Sequence, residues 1–172
     1  MPCRSALQSA TGPHQSTLRR GRHSQEGLWY ALTKCVNHRE PILTRQSPSG
    51  YPAAVVVESI NHLQDEGIWL WKGFVVMPDH FHIVVELRKG DLSRAMNNLG
   101  KYTARRINAM LGRQGTFWQR GFYDHGLRSE KSLKTHLEYM LANPVRAGLV
   151  SAPEQWPFSC VFLPPLGGNG LL

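Results

Sequence analysis

Residues 68–87 read IWLWKGFVVMPDHFHIVVEL. Two strongly apolar, β-branched and aromatic runs, Ile68–Met77 and His80–Leu87, are separated only by Pro78-Asp79, a pair that interrupts strands. Two adjacent antiparallel strands joined by a tight turn are predicted. In the second run alternate side chains share a face, so Phe81, Ile83 and Val85 are expected to enter a core while His80 and His82 emerge together on the other side.

Outward from this hairpin the pattern continues in both directions. Leu28–Val36 is aromatic and β-branched enough for a strand, and Asn37–Pro52, with three prolines and Ser49-Gly50, reads as a loop. Ala53–Glu66 carries Val56, Ile60 and Leu63 at helical spacing. Downstream, Asp91 is a natural N-cap for a long helix bearing Leu92, Met96, Leu99, Ile107 and Leu111 to about Gly112. Phe117–Arg128 mixes aromatic and charged residues as an edge strand does. Ser129 then opens a helix with Leu133, Leu137, Met140 and Leu141 on its apolar side, which Pro144 is expected to end. The order β-α-β-β-α-β-α predicts an α+β fold, a ferredoxin-like antiparallel sheet with helices packed on it, in a single domain. Such a sheet hosts many functions, so the side chains must indicate the chemistry.

The chain of 172 residues suits one domain. Residues 1–27 are rich in Arg, Ser and Gln without hydrophobic periodicity and read as a flexible basic extension; 28–162 form the domain, and 163–172 a short flexible tail. Twenty Lys and Arg against twelve Asp and Glu give +8, which suits a polyanionic partner. No apolar run approaches the about 18 residues that span a bilayer, and the first 27 residues lack the apolar core of a signal peptide. The cysteines, Cys3, Cys35 and Cys160, are odd in number and widely spaced, so neither a disulfide framework nor a zinc knuckle is expected. A cytoplasmic protein with no membrane partner is predicted.

Neutral histidine is the commonest metal ligand, and a strand-borne His80-x-His82 pair leaves room for a third ligand and for substrate. The spacing alone equally fits two surface imidazoles on a half-buried strand. On the last helix Tyr139 and Asn143 are four apart and share a face, with His136 three before Tyr139. A nucleophile and an oxygen ligand would fit that face, given a metal or base to activate the phenol. Taken alone, the same residues read as a packed ring and a helix-end amide.

Three segments together carry a resemblance: Phe74–Glu86; Phe117–His125, FWQRGFYDH; and Tyr139–Val150, YMLANPVRAGLV. They resemble the single-tyrosine transposases of the HUH nuclease superfamily, with the REP-associated branch nearest. The likeness extends from about Trp29 to Phe158, where Trp156-Pro157-Phe158-Ser159 is similar to that family's C-terminal signature. It implies a metal-binding His-hydrophobic-His pair at His80 and His82, a nucleophile at Tyr139 and a third metal ligand at Asn143. It further implies a divalent ion, Mg2+ or Mn2+, and single-stranded DNA, often hairpin-containing, as substrate. Cleavage and rejoining would pass through a 5′-phosphotyrosine, in a monomer or a homodimer at the bacterial nucleoid. Lys101, Arg105, Arg106, Arg120, Arg128 and Arg146 are candidate phosphate contacts and Trp118 a candidate base-stacking ring; each also reads as solvated surface or, for Trp118, core.

Rival readings differ in class. Replication initiators and relaxases of the same superfamily usually carry further domains. A domesticated DNA-binding protein would keep the basic face without needing all of His80, His82, Tyr139 and Asn143. An RNA-binding sheet would show paired aromatics in a Gly-aromatic-x-aromatic strand, which this sequence lacks.

Overall fold

A computed structural model of the chain describes residues 24–162. The tail 163–172 lies outside the described residues, as does the basic extension up to residue 23. Residues 24–27 already bond to the domain: Gly27 N–H donates to Leu87 O at 2.7 Å, and Glu26 accepts from Gly90 N–H at 2.8 Å.

The strands are β1 (Trp29–Cys35), β2 (Trp69–Val76), β3 (His80–Leu87), β4 (Tyr123–Leu127) and β5 (Ser159–Val161), and the helices α1 (Pro52–Asp65), α2 (Leu92–Met110), α3 (Glu130–Leu141) and α4 (Asn143–Arg146). All strand pairs are antiparallel, in the order β4-β1-β3-β2-β5. The first four make the expected ferredoxin-like sheet, and β5 extends it beyond β2. The hairpin closes where expected, with Met77 N–H donating to His80 O at 2.8 Å. Asp91 caps α2 through Arg94 N–H, and Ser129 and Ser132 form a reciprocal cap on α3.

Three details differ from the sequence expectation. Strand β5, only three residues long, carries too little pattern to be read. Within Phe117–Arg128 only Tyr123–Leu127 is strand, while Phe117 and Trp118 turn into the core. Helix α3 ends before Pro144 as expected, but a further short helix follows that the sequence did not lead one to expect. The chain breaks at Ala142 and resumes as α4, where Pro144 falls in the first turn and its missing N–H leaves no acceptor unpaired.

The sheet separates two apolar layers. On one side Leu32, Phe81, Ile83 and Val85 pack against α1 and α2 with Ile60, Met96 and Ile107. On the other, Ala31, Val75 and Val84 pack against Leu133, Leu137 and Met140 of α3. Trp118 braces the first layer, its ring edge-on to Phe81 and its Nε1–H donating to Thr103 Oγ1 of α2 at 2.9 Å. Lys34, also buried, donates from Nζ to Gly121 O at 2.8 Å and Gln119 O at 3.3 Å, which fixes the loop leading into β4.

Helix α3 lies very close to the sheet at Gly73. A Cβ there would stand 2.8 Å from Leu137 Cδ2, 2.8 Å from Val161 Cγ2 and 3.1 Å from Met140 Cε. Val161 is β-branched and in a strand, so it has little room to retreat. Gly73→Ala is expected to lower stability by about 1–3 kcal/mol through overpacking, read as a shifted urea midpoint at unchanged m-value.

Candidate active site

His80 and His82 emerge on the α3 side of β3, opposite Phe81 and Ile83, as alternation requires. Their Nε2 atoms stand 2.9 Å apart, with the rings edge to face at a centroid distance of 4.6 Å. Each ring is held from behind. His80 Nδ1 lies 2.6 Å from Asp79 Oδ1, and His82 Nδ1 lies 2.7 Å from Thr33 Oγ1, the residue directly opposite it on β1. An ionised carboxylate only accepts, so His80 Nδ1 carries the hydrogen of this bond, and Nε2 is the ring nitrogen turned toward His82. A hydroxyl donates or accepts, so Thr33 tolerates either tautomer of His82.

This donor set suits a divalent ion. Two nitrogens about 2.1 Å from one octahedral ion, at right angles, stand about 3 Å apart, close to the observed separation. Metal-binding imidazoles commonly give their second nitrogen to a carboxylate or another oxygen, as both do here. Among the described residues no three His, Cys, Asp or Glu side chains converge as a metal set. Asn143, the third candidate from the sequence, lines the same cleft as His82.

A cleft of about 140 Å3 brings the pieces together, lined by Thr33, His82, His125, His136, Tyr139 and Asn143 among others. Tyr139 is 52% exposed although it lines this cleft. The guanidinium of Arg146, from α4, sits 4.4 Å from the centre of the Tyr139 ring. Asp124 and His125 also line a larger open cleft of about 890 Å3, which continues past Arg128 to the start of α2 and α3.

Burial, with the neighbouring charges of His80 and His136, pushes the His82 pKa from 6.5 down to about 3, so this ring is neutral at physiological pH and its nitrogens stay available. Burial lowers His136 too, helped by His125. Burial alone would raise Asp79, but its bond to His80 and the charges of His80 and Arg39 outweigh it and hold the carboxyl below its usual range.

The remaining sequence candidates scatter. Lys101, Arg105 and Arg106 are exposed on α2, in the layer across the sheet from Tyr139; Arg106 Nη1 donates to Tyr102 Oη at 2.7 Å. Arg120 is exposed in the loop before β4, and Arg128 borders the larger cleft. Trp118 requires a correction: it is 6% exposed, and packing against Phe81 and Phe117 leaves its ring no face for a base. Sequence reasoning missed Thr33, whose role depends on strand register, and Arg39, which reaches Asp79 from a loop. It also gave no role to Asp79, although adjacency to His80 was a usable signal.

The profile of the IS200-like transposases matches residues 24–142, more than half of the chain. The chain belongs to this family. Among relatives, a candidate REP-associated tyrosine transposase of Haemophilus influenzae is 32% identical over 95 residues, covering 49% of this chain and 54% of that protein, so the match spans only about half the relative's length. The REP-associated tyrosine transposase of Escherichia coli is 28% identical over 133 residues, covering 77% of this chain and 75% of the relative. A solved structure of a REP-associated tyrosine transposase bound to a REP hairpin superposes with a TM-score of 0.66 at 26% identity, covering 80% of this chain and 79% of the other. The resemblance seen in the motifs is thus shown for the family and the fold, and REP-associated transposases are among the proteins the chain is similar to.

For this family member the depressed His82 has a stability consequence. Between about pH 3 and 6.5 the unfolded chain binds a proton at His82 that the folded chain does not. Stability is therefore expected to be complete above pH 6.5 and to fall as pH drops toward 3, with a slope from this ring of up to about 1.4 kcal/mol per pH unit. Urea titrations of the metal-free protein and of His82→Gln check this; the variant should show the shallower slope.

Proposed function

We propose that the chain is a metal-dependent single-stranded DNA transposase that cuts and rejoins strands through a 5′-phosphotyrosine, acting at REP-like hairpins. The observation that carries this reading is the cleft in which the exposed phenol of Tyr139 shares a lining with His82 and Asn143, beside the facing Nε2 atoms of His80 and His82. The family supports strand transfer as the activity, and the likeness to a relative solved with a REP hairpin supports the substrate class.

In this mechanism His80, His82 and Asn143 would hold the ion, Mg2+ or Mn2+. When bound, it supplies positive charge to a non-bridging oxygen of the scissile phosphate and offsets the charge that grows in the transition state. Tyr139 Oη attacks phosphorus in line, its proton passing to solvent or to a neighbouring base. The bond to the 3′ oxygen breaks, and that oxygen leaves as a hydroxyl after taking up a proton. One phosphodiester becomes one phosphotyrosine ester, so a second 3′-hydroxyl can attack in reverse and rejoin DNA without a nucleotide cofactor. Arg146, stacked on the Tyr139 ring, limits the directions the phenol can take and places positive charge beside it as it ionises. His136, 6.5 Å from the Tyr139 ring centre to centre and biased toward its neutral form, is the nearby ring suited to accept a proton.

The experiment is incubation with labelled single-stranded REP-type hairpins and Mg2+ or Mn2+, followed by denaturing gels. A protein-linked DNA band is expected for the native chain and none for Tyr139→Phe or after EDTA. Hairpin binding without any such band, across metals and hairpins, would favour a domesticated DNA-binding protein instead.

A further inference from the structure

The loop after β1 contains two consecutive non-glycine residues in the left-handed region, His38 (φ 53) and Arg39 (φ 57). Such backbone is strained for residues with a Cβ, and two in succession persist only where the surroundings hold them. Here the loop is clamped around the Pro78-Asp79 turn: Val36 N–H donates to Asp79 O and Leu43 N–H to Pro78 O, both at 2.8 Å, while Asn37 N–H donates to Phe117 O at 2.8 Å.

The strained segment delivers one side chain. Arg39 Nε donates to Asp79 Oδ2 at 2.9 Å and its Nη1 to Cys35 Sγ at 2.9 Å, so the planar fork is fixed at two points. The other carboxylate oxygen, Oδ1, takes the hydrogen of His80 Nδ1 at 2.6 Å. Arg39 is 45% exposed, and an ion pair so open to water adds little stability. Backbone strain answered by a weak surface pair points to a demand other than folding.

We propose that Arg39 is a positioning residue that acts through Asp79 to lock the tautomer and tilt of His80. With Asp79 held by Arg39, Oδ1 is aimed at His80 Nδ1, the hydrogen stays on that nitrogen, and the Nε2 lone pair faces Nε2 of His82. Without Arg39 the carboxylate is free to rotate into solvent, and the ring loses the bond that selects this tautomer. His82 is supported differently, by a hydroxyl that can donate or accept, so its tautomer follows its partners, whereas a carboxylate dictates that of His80. The inference rests on reading His80 and His82 as metal ligands, and it assigns Arg39 and Asp79 a share of the ion's affinity.

The test uses the full chain and Mn2+ alone, followed by electron paramagnetic resonance of the free ion, with thermal melts in parallel. Arg39→Ala should weaken Mn2+ binding about tenfold, in the range seen when outer partners of ligands are removed, and Arg39→Lys, which keeps the charge near Asp79, should restore most of it. Nitrogen-15 shifts of the His80 ring in the metal-free native protein give a second readout that needs no variant. They should show a protonated Nδ1 and a bare Nε2, with Arg39→Ala admitting the other tautomer. Unchanged Mn2+ affinity in a folded Arg39→Ala, or a native His80 protonated at Nε2, overturns the proposal. His80→Ala separates the two levels. If it too binds Mn2+ normally, the ligand reading has failed, whereas a loss there with none in Arg39→Ala defeats only the role given to Arg39.

Discussion

The site depends on a helix coming near enough to a sheet for a side chain of one to share a cleft with rings of the other. At Gly73 that approach leaves no space for even a methyl group. The three atoms that crowd the position belong to Leu137 and Met140, which flank Tyr139 on α3, and to Val161 on the last strand. Helical periodicity then does the rest: with Leu137 and Met140 driven against the sheet, Tyr139 is turned outward beside His82, and Asn143 follows one turn later. The strand β2 that carries Gly73 is also bonded to β3, so the phenol and the imidazoles are referred to the same piece of backbone.

Much of this was legible in the sequence because its signals are periodic. Alternation in HFHIVVEL fixed which residues of β3 face which layer, and the apolar spacing of Leu133, Leu137 and Met140 fixed the face of α3 that meets the sheet. Capping residues at Asp91 and Ser129 marked two helix starts where the structure has them. What was not legible depends on partners distant in the chain. Thr33 supports His82 through a strand register that no local pattern states, and Arg39 reaches Asp79 only because its loop adopts a conformation rare for its residue types. Trp118 was misjudged for a related reason: an aromatic in a segment that also carries Arg120 and Asp124 looks exposed until the lysine and threonine that enclose it are brought from elsewhere. Helix α4 went unread because a proline in the first turn of a new helix looks, in sequence, the same as one that only terminates the old.

The two histidines differ although they stand two residues apart on one strand. His82 is deep, neutral and backed by a hydroxyl; His80 is backed by a carboxylate that is itself gripped by a guanidinium. One ring can adapt and the other is preset. If the pair holds an ion as proposed, one imidazole would meet it ready-oriented while the other could still adjust to the ion's further partners.

The sheet also divides the molecule between two evolutionary accounts. Every group assigned to chemistry lies on the α3 side, while the exposed basic residues of α2 lie on the other, with the sheet and its mostly apolar layers between. Interior packing of this kind transmits changes of volume but is indifferent to charge at a solvent-facing position. Substitutions on the outer face of α2 can therefore accumulate and alter what the protein adheres to, while the geometry around Tyr139 is inherited intact.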